Sequence, residues 1–153
     1  MKRIRPKGIA CSMLLLASFS LQGGAARAAT PTAGVPQVSW STLKTLTADA
    51  KPSPAKALDR KTVAIPGFMV PLEDDAEQVT EFLLVPFSGA CIHVPPPPPN
   101  QMVYVKLRGG KKAAMSFTQP IIVSGQLHVS TVQSPYGDVS FNMDGDSVKP
   151  YEQ

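Results

Sequence analysis

Five prolines in a row, Pro95 to Pro99, restrict this chain more than any other stretch. Proline has a fixed φ and no backbone N–H. Five together form a polyproline II rod of about 15 Å. Such a rod cannot join a sheet as a central strand, so it must follow an edge or cross an opening. It is also pre-organised, so contacts made with it cost little ordering entropy. The rod sits in the segment GACIHVPPPPPNQ, Gly89 to Gln101.

Everything N-terminal to residue 29 reads as an address. MKRIRPK is basic, and Ile9 to Leu21 is apolar. Ala26-Arg27-Ala28 has the small-x-small form of a cleavage site. This is the pattern of a bacterial secretory signal peptide, and its apolar run is too short for a permanent transmembrane helix. The expected location is the periplasm, with no transmembrane segment after cleavage. Cleavage after Ala28 leaves 125 residues, enough for one domain. The net charge of +4 belongs largely to the address, because ten basic and eleven acidic residues remain beyond it. Nothing strongly basic is left to favour nucleic acid. Cys11 departs as well, which leaves Cys91 as the one thiol of the exported chain. Stability must then come from a hydrophobic core and not from a disulfide.

Residues 29–61 read as an N-terminal tether with one short helix. Ser39 is a natural N-cap, and Trp40, Leu43 and Leu46 recur at helical spacing. Ala50 to Lys61 reads as a polar linker. Residues 62–153 read as a β domain. TVAIPGFMVPL alternates, but Val63 and Ile65 have the opposite parity to Phe68, Val70 and Leu72. A bulge at Pro66-Gly67 would account for the change. EFLLVPF is apolar on both faces and reads as a central strand. QMVYVKLRGGKK places Val103, Val105 and Leu107 inward and turns at Gly109-Gly110. Ile121, Val123, Leu127 and Val129 share one face of a further strand. Ser134 to Gly137 is a turn, and a last strand carries Val139, Phe141 and Met143 on one side. The sum is an all-β fold with one or two short helices. A five-stranded OB-like barrel is expected, with a β-sandwich as the alternative.

Cys91 and His93 are the residues with the most chemistry. In an extended segment they lie on one face, with roughly 6–7 Å between their backbone positions. That suits two ligands of zinc or copper, or a thiol activated by an imidazole. A structural reading is also open, with Cys91 as a small buried hydrophobe and the prolines as a stiff connector. Asn100 and Gln101 add two amides able to reach a ligand or the Cys-His segment. His128 has outward parity and reads as a solvated residue. Asp144-Gly145-Asp146 lacks the remaining positions of a calcium loop and reads as a turn. Glu73-Asp74-Asp75 reads as a solvated loop.

IPGFMVPLE, EFLLVPF, GACIHVPPPPPNQ and VSGQL together resemble a bacterial family of secreted proteins classed as a domain of unknown function. The resemblance spans about Leu58 to Tyr151. It implies a periplasmic accessory role beside an ABC transporter and zinc-responsive genes. The partner it implies is a transporter permease or a periplasmic metal-binding protein. On this basis Cys91 and His93 are the expected metal ligands, and Pro95, Pro96, Pro97, Pro98, Pro99, Asn100 and Gln101 the expected ligand- or partner-binding edge. The alternatives are a docking protein with an inert Cys91 and an enzyme using Cys91 as a thiolate. Phe87-Ser88 stands where the family pattern has an aromatic pair, and no histidine-rich stretch for bulk metal storage is present.

Overall fold

The computed structural model describes residues 34–48, 52–73, 77–90 and 95–151. The expected signal peptide lies outside the described residues, as do Cys91 and His93.

Among the described residues nine strands form in chain order: β1 (Lys61–Pro71), β2 (Gln78–Val79), β3 (Glu81–Val85), β4 (Val103–Leu107), β5 (Ala113–Ala114), β6 (Ile121–His128), β7 (Val132–Ser134), β8 (Gly137–Val139) and β9 (Phe141–Pro150). Five of them close a barrel in the order β1-β3-β4-β9-β6. All neighbours are antiparallel except β4 and β9, which run parallel. This is the expected five-stranded OB-like barrel, and the sandwich alternative is set aside. β2 pairs with β5, and β7 with β8, as two short ribbons outside the ring.

The inner face follows the alternation. Val63, Ile65 and Met69 of β1, Phe82 and Leu84 of β3, and Val103 and Val105 of β4 meet Val123, Leu127, Phe141 and Met143 in one core. Within β1 the parity change proves to have another cause than a bulge. The β1–β6 register runs unbroken from Lys61↔Leu127 to Gly67↔Ile121, and β1 then pairs with β3 from Phe68↔Val85 onward. Val63, Ile65, Gly67 and Met69 keep to one face. Val70 and Phe68 face outward into a second, smaller core. Two cores on opposite faces of one strand imitate a change of parity.

The register shift lies elsewhere, between Ser124 and Gly125 against β9. Ser124 faces Ser147 and Gly125 faces Gly145, which leaves Asp146 as the additional residue. Asp144-Gly145-Asp146 is therefore no turn. It lies inside a ten-residue strand. The bulge turns the inward face from Met143 to Val148, and the bend it adds helps to close a small ring.

Before the barrel, Ser39 caps the four-residue helix α1 (Trp40–Leu43) and accepts from the Thr42 N–H. Val38, Leu43 and Ala55 are buried in the main core. The stretch read as a polar linker thus packs through Ala55 and forms a 3-10 turn at Lys56–Leu58. This N-terminal stretch also covers an edge. Val38 N–H donates to the Ala64 carbonyl at 2.8 Å, and Ala64 N–H to Pro36 at 2.9 Å. The Trp40 indole donates to the Pro66 carbonyl at 2.7 Å. These bonds occupy groups of β1 that would otherwise form an open edge.

Candidate functional site

The segment with the proline rod connects β3 to β4. Its described ends lie on the outer wall of the barrel and help to build the second core. Phe68, Val70, Leu83, Val85 and Tyr104 project outward from β1, β3 and β4. Ala90 and Met102, from the two ends of the connection, are buried against them. Val139 and Tyr136 of the β7–β8 ribbon complete the cover. The double-sided apolarity of EFLLV follows directly: Phe82 and Leu84 serve the inner core, Leu83 and Val85 the outer one.

The rod is attached and not free. Pro97 is buried, while Pro95, Pro96, Pro98 and Pro99 are exposed. Ser140 N–H donates to the Pro99 carbonyl at 2.9 Å, and Gln101 N–H to Pro98 at 2.8 Å. The Asn100 side-chain amide donates to the carbonyls of Lys44 and Leu46 at 3.1 and 2.9 Å. Those carbonyls lie at and just past the end of α1, where the helix itself supplies no donor. Asn100 therefore ties the rod to the N-terminal helix, a structural role the sequence reading did not assign. Gln101 is half-buried in the closing 3-10 turn. Pro98, Pro99 and Asn100 line one wall of an open cleft of about 640 Å³. Leu46, Lys56 and Val129 also line it.

Beside the outer core lies a polar triad. Glu81 stands opposite Lys106 in the β3–β4 register, and its carboxylate meets the Lys106 ammonium at 2.7 Å. The Tyr104 hydroxyl donates to the same carboxylate. The lysine and the tyrosine both favour the ionised acid, so the Glu81 pKa is lowered. The carboxylate in turn pushes the Tyr104 phenol up to about 12, with burial adding to the shift. In the unfolded chain a tyrosine loses its proton near pH 10. The raised value therefore contributes stability that is complete below about pH 10 and is lost as the pH rises through about 12. Ultraviolet titration of the folded protein should show a phenol ionising near pH 12. That step should vanish in Tyr104→Phe and move down in Glu81→Gln; an unchanged profile in both would refute the assignment.

His128 lies on the outer face, as expected from its parity, but it has company. Its Nε2 is 3.2 Å from an Asp144 oxygen that also meets Arg108 Nη2 at 3.0 Å. Arg108 holds the Asp144 carboxyl below its usual range, with His128 helping. Arg108 also binds Gln126 at 3.0 Å. Gln126 and His128 share a face of β6, and Asp144 lies across from Gln126. No nucleophilic side chain takes part in this array, so it reads as a cross-strand polar clasp. Reading Asp144 as a turn residue concealed it. Among the described residues no group of three or more His, Cys, Asp or Glu side chains is placed to hold a metal. No helix among them is long and apolar enough to cross a membrane.

Fold and site together define a five-stranded OB-like barrel whose β1–β3–β4 outer face is covered by its own β3–β4 connection and a ribbon inserted before β9. Barrels of this class commonly take ligands on the corresponding strands and loops; here side chains of the same chain occupy that wall. The chain belongs to the DUF3299 family, described as a protein of unknown function, which matches residues 32–150. A crystal structure of a DUF3299 family protein, PA4066 of Pseudomonas aeruginosa PAO1, is similar at 37% identity. The likeness covers 78% of this chain and 99% of that one, with a TM-score of 0.63. No curated protein matches the chain.

Proposed function

We propose that this protein is a periplasmic accessory module that binds a transition metal, zinc or copper, through Cys91 and His93 and presents it to a transport partner. The observation that carries the reading is the anchoring of the connection on both sides of these residues. Ala90 is wholly buried before them, and Pro97 and the Pro99 carbonyl are held after them. Fixed ends reduce the entropy a short ligand-bearing segment loses on binding. Two side chains do not complete a tetrahedral site, so the remaining positions are left to water or to a partner's ligands. Such a site exchanges its metal, which suits delivery to an ABC transporter permease or to a periplasmic metal-binding protein. The cover over the outer wall argues against the mode by which similar barrels take up oligonucleotides.

The test is elemental analysis of the exported protein, purified without chelator, beside Cys91→Ala and His93→Ala. About one zinc or copper per chain is expected, lost in both variants. Equal metal content in all three would overturn the reading. The exposed prolines beside the cleft favour a second reading, a docking edge with an inert Cys91. It predicts no metal, slow Cys91 alkylation, and loss of partner capture when the exposed prolines are replaced. Rapid alkylation well below the pH at which an ordinary thiol ionises would instead favour the thiolate enzyme.

A further inference from the structure

A separate groove of about 590 Å³ lies where β5 and the connection after it meet the start of β6 and the end of β9. No described residue of the β3–β4 connection lines it. Its volume falls within the range of small-molecule sites, about 300–1,000 Å³. Leu107, Met115, Ile121 and Val148 form part of its lining, and all four also belong to or pack against the main core. The groove is thus an opening onto the apolar interior at the rim of the ring.

Its charge is one-sided. Among the described lining residues, Lys111, Lys112 and Lys149 stand along it, against one carboxylate, that of Asp146. That carboxylate already faces Arg108, 3.5 Å away. The Lys111 ammonium donates to the Asp146 backbone carbonyl at 2.6 Å, which holds its charge beside the groove. Lys112 and Lys149 form no ion pair among the described residues. An inorganic anion would use the lysines and leave the apolar lining wet. A neutral apolar molecule would leave the lysines unused, and an amphiphilic cation would be repelled. From this complementarity we infer that the groove binds a single-chain amphiphilic carboxylate, a fatty acid in chemical class, with its chain against the core side chains and its head group among the lysines. The inference does not depend on Cys91 or His93.

The test is calorimetric titration of the purified, host-processed protein with dodecanoate, kept below its micellar concentration. Saturable one-to-one binding is expected. Dodecanol should bind about fivefold more weakly, as should dodecanoate to the Lys112→Glu/Lys149→Glu double variant, because two exposed charge contacts together are worth about that factor. Dodecyltrimethylammonium should not bind. Ala114 lines the groove and is exposed, so Ala114→Trp should fill the site and abolish binding while leaving the unfolding midpoint in place. Cys91→Ala should bind as the parent does. Absence of dodecanoate binding, equal affinity for dodecanol, or an undiminished double variant that circular dichroism shows to be folded would each overturn the inference.

Discussion

Phe141→Ala should lower the stability of this protein by about 3–5 kcal/mol, the usual cost of emptying a buried aromatic site. Phe141 is wholly buried and opens β9, paired in parallel with Val103 of β4. Two residues earlier Val139 belongs to the outer core, while Phe141 belongs to the inner one. The chain crosses the barrel wall between them, with Ser140 bonded to the proline rod at the crossing. The parallel seam and the crossing leave little freedom for neighbours to collapse into the space. A domain of this kind has a total stability of about 5–15 kcal/mol, so the loss is a large share of it. Urea unfolding should show a lower midpoint with an unchanged slope. A loss under about 1 kcal/mol would refute tight packing at the parallel seam.

Gly125→Ala should be comparably damaging for a different reason. A Cβ at Gly125 would lie 2.2 Å from the Asp144 carbonyl oxygen and 2.9 Å from the Gly145 Cα. Both are backbone atoms of the paired strand, at the place where the register shifts. They cannot rotate away; the β6–β9 pairing must open. The expected cost is at or above the upper end of the about 1–3 kcal/mol typical of overpacking. Amide hydrogen exchange should show lost protection in β6 and β9. Gly145→Ala is the comparison, since its new Cβ would meet first the Leu107 Cδ2, 2.7 Å away at the end of a side chain that can turn. Gly145→Ala should cost less. Equal losses in the two variants would refute the backbone account.

The barrel was legible because its inner residues alternate over several short segments. Val103, Val105 and Leu107, and Ile121, Val123 and Leu127, were correctly placed from period alone. The outer core was not legible, because period two cannot tell a second buried face from an inserted residue. Phe68 and Val70 therefore looked like a bulge in β1. The true bulge was hidden in a sequence, Asp-Gly-Asp, whose composition is that of a turn. Its alternation with Phe141 and Met143 was the available signal, and turn chemistry outweighed it. In the candidate site, the exclusion of the rod from the strand ladders was foreseeable from proline's missing donor, but its attachment to the outer wall was not. Asn100's bonds to Lys44 and Leu46 were not, because nothing local in either segment brings them together. The lysine-rimmed groove was equally hidden: Lys111, Lys112 and Lys149 meet only through the pairing of distant strands.

The closed ring also bears on how fast the chain reaches its native state. β1 pairs with β6, and β4 with β9, across long stretches of sequence. Folds dominated by such distant pairings lose loop entropy before their contacts compensate, and two-state domains of this type fold in about milliseconds to seconds. The proline rod changes that balance in one place. Its five residues have few backbone conformations even in the unfolded chain, so less freedom is lost when the β3–β4 connection closes. Part of the connection between β3 and β4 is thus stiff before any strand has paired.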